Sequence, residues 1–350
     1  MPTMEQWQRI MRDSITTYEE LNEHFPGQHR SLEKVIATFP MRINPYFLAL
    51  IKKHGHPLSL QAIPSIAELQ DTTCIPDPLN EENLSPTPNL VHRYPDRALL
   101  LLTSNCAMFC RFCTRKRKVG NKNWTVDTAC LDKAYDYLRE NRQIREVILS
   151  GGDPLLLDDD RLSTILSRLR AIKSIEVIRI GTRVPATLPM RVTEKLTRMF
   201  TAYHPLFINT HFNHPFEITK EAAKACRILA DAGIPLGNHT VLLKGVNDDA
   251  KILRSLFLNL LKMRIKPYYL FQADLTRGTD HFRTPIDCGI DIMRQIIGHI
   301  SGMAVPTYAI DAPGGKGKIP LTPNYITDFG NMLHFQNYLG ESCSYPDATK

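Results

Sequence analysis

The sequence predicts an α/β protein: a parallel sheet curved into a full or partial barrel, behind a helical N-terminal extension. Three observations carry this. Strand-like apolar runs at Ala98 to Thr103, Glu146 to Ser150, Ile175 to Gly181, Leu206 to His211, Leu236 to Leu243 and Pro267 to Gln272 alternate with amphipathic segments. Those segments are Thr128 to Glu140, Asp160 to Ile172, Thr193 to Tyr203, Glu217 to Ala232 and Ala250 to Met263. Successive βα units of this kind build a parallel sheet through right-handed crossovers. Residues able to do chemistry also gather at the ends of the runs: three thiols, Ser150 to Pro154, Arg183, His211, His239 and Asp274. That is the end at which α/β barrels hold their sites. Finally, 350 residues with 43% hydrophobic content can bury one barrel-sized core.

Ahead of the alternation, Met4 to Leu69 is helical in pattern and broken by prolines, with segments at Met4 to Asn22, Leu32 to Phe39 and Asn44 to Lys53. Gln70 to Pro95 contains Pro76, Pro78, Pro86 and Pro88 and reads as an extended connector. Val305 to Ile310 reads as one more strand, followed by a Gly/Lys/Pro loop from Asp311 to Pro320. The expected organisation is an N-terminal extension and connector over 1–95, the barrel with its glycine and lysine loop over 96–325, and a short tail over 326–350.

The net charge of +7 would suit an anionic partner. Its basic residues are scattered, the densest run being Arg111 to Lys118 beside the thiols, so phosphorylated cofactors account for the charge better than nucleic acid. Five of the eight cysteines (74, 130, 226, 288 and 343) show no pairing framework, which points to a reducing compartment. Met1 to Arg30 lacks the apolar core of a signal peptide, and no run approaches the ~18 apolar residues of a membrane span. The expectation is a cytoplasmic protein without a membrane partner.

Cys106, Cys110 and Cys113 stand in a C-x3-C-x2-C spacing just past the first strand. A structural zinc site normally takes four protein ligands. Three thiolates on a [4Fe-4S] cluster leave one iron open to bind something else. One βα unit later, Ser150-Gly151-Gly152-Asp153 follows a strand directly, and paired glycines there permit close backbone approach.

Together these two motifs resemble the radical S-adenosylmethionine superfamily, whose fold is a partial (β/α)6 barrel of the TIM-like kind. The resemblance implies that Cys106, Cys110 and Cys113 hold the [4Fe-4S] cluster. It also implies that the open iron chelates S-adenosylmethionine, which an electron then cleaves to a 5'-deoxyadenosyl radical. Further motifs narrow it: Arg93-Tyr94-Pro95-Asp96-Arg97, Cys113-Thr114-Arg115, Asn209-Thr210-His211-Phe212-Asn213-His214-Pro215, His281-Phe282-Arg283-Thr284-Pro285 and Asp311-Ala312-Pro313-Gly314-Gly315. In this order they are similar to lysine 2,3-aminomutase.

That likeness implies pyridoxal 5'-phosphate as a further cofactor, joined as a Schiff base to Lys318. Lys316, in a loop that is otherwise glycine in the family, is the competing amine. Arg93 and Arg97 offer guanidinium forks for the cofactor phosphate. Ser150, Gly151, Gly152, Asp153, His211 and His239 fall to the cofactor pockets, the two histidines lining that of S-adenosylmethionine, although the family has glutamine where His239 stands. Arg115 would pair with the substrate carboxylate. Asp274 and Asp311 take the positions that bind the side-chain ammonium of lysine. At 4 Å and an effective dielectric near 20, each carboxylate attracts an ammonium by roughly 4 kcal/mol and repels a carboxylate equally.

The implied reaction moves the α-amino group of L-lysine to the β-carbon, with flavodoxin or ferredoxin as electron donor. Longer members carry a C-terminal zinc-binding cysteine cluster. Here only Cys343 follows Lys318 and Asp248-Asp249 stand where the companion thiol would be, so no zinc is expected and homo-oligomerisation is left open. Three alternatives remain, the plainest being a non-catalytic iron–sulfur binding module. Another is the short relative that makes β-lysine for elongation factor P, against which Cys113-Thr114-Arg115 and the glycine-rich loop argue. The third is a radical enzyme acting on RNA, motivated by the charge.

Overall fold

The computed structural model describes residues 4–121 and 123–348. Five short helices come first: α1 (Gln6–Arg12), α2 (Tyr18–His24), α3 (Leu32–Thr38), α4 (Pro45–His54) and α5 (His56–Ala62). The sequence suggested one helix where α1 and α2 stand. Between them Ile15 bridges to Ile43, and Thr17 caps α2 in a reciprocal pair with Glu20. An N-cap hydroxyl satisfies an otherwise orphaned N–H, and here it outweighs continuity of the helical pattern. The unpredicted α5 starts behind Gly55, whose φ of 71° reverses the chain, with Pro57 in its first turn.

The main sheet has nine strands in sequence order: β1 (Leu90–Tyr94), β2 (Arg97–Leu101), β3 (Glu146–Ser150), β4 (Val177–Gly181), β5 (Leu206–Thr210), β6 (Leu236–Leu242), β7 (Ile265–Gln272), β8 (Thr307–Asp311) and β9 (Lys318–Pro320). Strands β2 to β8 run parallel, while β1 and β9 are antiparallel edges. The crossovers use α6 (Thr128–Glu140), α7 (Asp159–Arg170), the short α8 (Val184–Thr187) with α9 (Glu194–Thr201), α10 (Lys220–Asp231), α11 (Ala250–Lys262) and α12 (Ile286–Ile296). The edges β1 and β9 do not pair, so the sheet is an open, partial barrel. The segment read as an extended connector thus supplies an edge strand. The helix α12 had no expectation, and its Gly289 leaves room for the Tyr308 ring, which a Cβ would strike.

Alternation along the strands divides the sheet into two faces. Ala98, Leu100, Val147, Leu149, Ile178, Ile180, Leu206 and Ile208 face the helices and join Leu166, Phe200, Leu229 and Phe257 in the core. The intervening Leu99, Ile148, Arg179, Asn209, His239 and Tyr269 line the concave face. The main core therefore lies outside the curled sheet, and its inside mixes polar and charged residues with aromatic and aliphatic ones.

A second apolar cluster, containing Leu21, Val35, Ile43, Phe47 and Ile51, joins the N-terminal helices to Met108 of the thiol loop. Beside it lies a buried ionic triad. Arg111 forks onto Glu68 at 2.9 and 2.5 Å, and Lys116 Nζ reaches the same carboxylate at 2.7 Å. Burial alone would raise the Glu68 pKa, but Arg111 and Lys116 bring it below the usual carboxylate value.

Beyond β9, the tail forms a small antiparallel sheet of β10 (Ile326–Phe329), β11 (Met332–Gln336) and β12 (Ser342–Pro346) rather than an irregular end. Among the described residues no helix is long and apolar enough to cross a membrane. Removing one member of a buried ion cluster strands its partners, at a cost of about 3–5 kcal/mol. Glu68→Ala is therefore expected to lower the thermal and urea midpoints clearly; unchanged midpoints would show that the triad does not fasten the extension to the thiol loop.

Candidate active site

The concave face of the sheet encloses a cavity of about 560 Å³, and all fifteen residues expected at the site line it. That volume is within the ~300–1,000 Å³ usual for small-molecule sites.

The thiol loop follows β2 and is held by the N-terminal helices. Phe109 N–H donates to the Arg42 carbonyl at 3.0 Å, Arg111 N–H to the Gln61 carbonyl at 3.0 Å, and Asn44 Nδ2 to the Ala107 carbonyl at 3.0 Å. Cys106, Cys110 and Cys113 are all free thiols. Among the described residues, the only His, Cys, Asp or Glu trio with ligand atoms all within 4.8 Å is Asp71, Cys74 and Asp280. The cavity trio is wider, which fits a multi-atom cluster rather than one ion. Burial pushes the Cys106 thiol well above its usual range and Cys113 up to about 11. A thiolate there needs a positive partner, which an iron centre provides.

Gly151 and Gly152 make a different close approach from the one expected. A Cβ on Gly151 would lie 2.5 Å from the Thr103 carbonyl, and one on Gly152 would collide with the Asn105 carbonyl. The glycines pack the β3 end against the thiol loop itself. Asp153 completes the clasp: its carboxylate accepts from Thr182 Oγ1 at 2.7 Å, Arg183 N–H at 2.7 Å, Leu155 N–H at 3.1 Å and Val184 N–H at 3.2 Å. Burial raises its pKa against these hydrogen bonds. Three strand-end loops are thereby fixed to one another.

Arg115 forms a bidentate pair with Glu81, Nη2 donating at 2.7 Å and Nε at 2.9 Å, while Nη1 reaches Ser150 Oγ at 3.2 Å. Burial alone would raise the Glu81 pKa, yet Arg115 and Arg117 hold it down at about 2. Glu81 escaped the sequence reading because it lies in a proline-rich connector, where an acidic residue looks solvated.

On the opposite edge, Lys318 opens β9 and pairs in register with Asp311 of β8. Lys318 Nζ donates to Asp311 Oδ1 at 3.1 Å, and Arg93 Nη1 donates to the same oxygen at 3.1 Å. Arg93 thus meets a carboxylate here. Arg97 lies over the Tyr94 ring at 3.9 Å and pairs with Asp96 at 2.8 Å. Lys316 is exposed and outside the cavity lining. Asp274 accepts from Thr114 Oγ1 at 3.0 Å, and burial together with the Asp311 charge pushes it up to about 7.

The two histidines occupy distinct surroundings. His211 rests against Phe112 and bonds Asn213 Oδ1 at 3.0 Å; burial keeps it neutral, far below its usual pKa. At His239 the β6–β7 register shifts by a bulge, setting the ring among Tyr268, Tyr269 and Phe271. Burial, with Arg179 and Lys318 nearby, drives it down to about 3, and its buried Nε2 has no partner. An orphaned ring nitrogen beside the Lys318 amine and a half-exposed Arg97 fits a phosphorylated aldehyde cofactor.

Comparison with known proteins agrees with this geometry. The radical SAM superfamily profile matches residues 100–256, and a profile described as lysine-2,3-aminomutase matches residues 293–350. The L-lysine 2,3-aminomutase of Clostridium subterminale is 45% identical over 348 residues, covering 97% of this chain and 84% of that protein. That of Methanococcus maripaludis is 47% identical over 98% of this chain and 81% of its own length. The glutamate 2,3-aminomutase of Clostridioides difficile is 46% identical over 85% of this chain and 71% of its own. With identity at this level across nearly its whole length, and with its thiol loop and lysine strand facing one cavity, the chain belongs to the lysine 2,3-aminomutase family of radical SAM enzymes.

Proposed function

We propose that this protein is an L-lysine 2,3-aminomutase, moving the α-amino group of L-lysine to the β-carbon to give β-lysine. Identity alone does not separate lysine from glutamate, since relatives of both names match equally well. The observation that carries the choice is Asp274. Glu81, Glu146, Asp153 and Asp311 each have arginine, lysine or several N–H partners, whereas Asp274 has one threonine hydroxyl. A buried carboxylate so poorly compensated attracts a cation and rejects a second carboxylate.

The cluster, S-adenosylmethionine and pyridoxal phosphate together supply the radical and the conjugation that stabilises it. The protein's part is positioning and exclusion of water. Cys106, Cys110 and Cys113 would hold the iron, and the Gly151-Gly152-Asp153 clasp keeps their loop in place beside the S-adenosylmethionine pocket, with His211 on its wall. Lys318 would carry the aldehyde cofactor, with Arg97, Arg93 and His239 toward its phosphate. Arg115, anchored on Glu81, keeps Nη1 turned to the cavity for the substrate carboxylate, and Asp274 with Asp311 receives the side-chain ammonium. The neutral His211 and His239 can hold a proton at one ring nitrogen and accept at the other.

Three outcomes test this. Reconstituted anaerobically with iron, sulfide, S-adenosylmethionine, pyridoxal phosphate and a reductant, the protein should convert lysine, but neither glutamate nor arginine, to a β-amino product. No turnover of lysine sinks the assignment.

The substrate ammonium stays charged below its pKa of about 10.4, so the pH dependence of binding belongs to Asp274. Because that group titrates near 7, lysine must displace a proton below that pH. Apparent affinity should then fall by about tenfold per pH unit under neutrality and level off above it. Asp274→Asn should flatten this profile and weaken binding by about 1.5–3 kcal/mol; a slope that survives the substitution would assign it elsewhere.

Borohydride trapping and peptide mapping should find pyridoxal phosphate on Lys318. Lys316→Ala should keep the visible absorbance of the lysine-linked cofactor and Lys318→Ala should abolish it; the reverse pattern would move the linkage to Lys316.

A further inference from the structure

Cys110 is touched by a group from outside its own loop. Arg183, at the C-terminal end of β4, donates from Nη1 to Cys110 Sγ at 2.8 Å. Its Nη2 donates to Gln61 Oε1 at 2.6 Å and to Glu217 Oε1 at 2.9 Å, and both of those partners are fully buried. Asn213 braces them, its Nδ2 donating to Gln61 Oε1 at 3.1 Å and its N–H to Glu217 Oε2 at 2.8 Å. The guanidinium carbon lies 5.1 Å from the Phe112 ring centroid, so apolar surface excludes water from one side.

An arginine does not lose its proton. Arg183 therefore places a fixed positive charge, in a low-dielectric setting, within hydrogen-bond reach of a candidate iron-ligating sulfur. Hydrogen bonds to such sulfurs, net local charge and burial are the levers by which proteins set iron–sulfur potentials. Glu217 supplies an opposing charge one atom layer further out, and Gln61, from helix α5, fixes the fork's orientation.

We propose that Arg183 is a positioning residue that raises the reduction potential of the cluster through Cys110, and that Glu217 sets how much of its charge is felt. This rests on the reading that Cys106, Cys110 and Cys113 hold a [4Fe-4S] cluster. In the tuned step, one electron passes from an external reductant to the oxidised cluster, and no bond forms or breaks. Reduction adds a negative charge, which Arg183 stabilises and Glu217 opposes.

The test uses the full chain as wild type, Arg183→Gln, Arg183→Lys and Glu217→Gln, each reconstituted anaerobically with ferrous iron and sulfide. Iron content is measured first, and the reduced cluster is then followed by electron paramagnetic resonance during a dithionite titration. At a fixed poise, Arg183→Gln should lower the reduced-to-oxidised ratio by about tenfold, which is 59 mV for a one-electron couple. Arg183→Lys, which keeps the charge, should stay nearer the wild type, and Glu217→Gln should move the potential in the positive direction. A purely structural role would not produce shifts of opposite sign.

The proposal is overturned if Arg183→Gln titrates like the wild type, or if Glu217→Gln lies at or below it. The second criterion stands even where Arg183→Gln fails to take up iron. A wild-type chain that takes up no iron would instead overturn the cluster reading, and the inference with it.

Discussion

The site depends on one shared carboxylate. Asp311 accepts from Lys318 of β9 and Arg93 of β1, the two edge strands that the open sheet leaves unpaired. The Tyr94 hydroxyl adds a second tie, accepting from the Lys318 N–H at 3.0 Å. Side chains thus bridge a gap that no backbone ladder closes. The cavity is walled without sacrificing the room that strand pairing would take. Buried charge-assisted bonds of this kind are also stronger and more directional than their exposed counterparts.

The same carboxylate governs its neighbours. Asp311 pairs with two cations, while burial and then the Asp311 charge raise the pKa of the neighbouring Asp274, which Thr114, Lys318 and Arg93 relieve only in part. Asp311 already carries two cationic partners, Arg93 and Lys318. Asp274, with one threonine hydroxyl donating to its carboxylate, is the less occupied of the two.

The sheet order and the strand ends were legible in the sequence because period-two alternation, βα spacing and strand-end chemistry all express local pattern. Most of the fifteen expected residues that line the cavity were reachable through motifs. What was not legible depended on contacts between distant segments. Glu81 looked like one acid among prolines, and only folding sets it against Arg115, 34 residues away. Arg183 was visible at a strand end, yet nothing local says that its fork meets Cys110 and Gln61. The glycine pair pointed to a close approach, but not to the thiol loop as what approaches. The β6–β7 register also shifts at His239, and register shifts leave no trace in hydropathy.

The cavity also brings together two differently supported halves. The thiol side hangs from the N-terminal helices through backbone bonds at Phe109 and Arg111 and through the Glu68 triad. The lysine side is built from sheet edges and held by Asp311. One continuous core outside the sheet, from Leu90 and Leu100 to Tyr308, backs both halves, and Phe112 of the thiol loop packs with Leu243, Ala273 and Phe282 beyond the ends of β6 and β7. Polar contacts add to this: Asp153 fixes the loops after β3 and β4 beside the thiol loop, Arg115 spans from the thiol loop to Glu81 and Ser150, and Thr114 Oγ1 crosses to Asp274 beyond β7. A reaction needing a radical from one half to meet a substrate bound in the other depends on that spacing to within a fraction of an ångström. The shared core sets the frame, and the buried polar contacts fix the distance across it more sharply than apolar packing alone, which is adjustable by repacking.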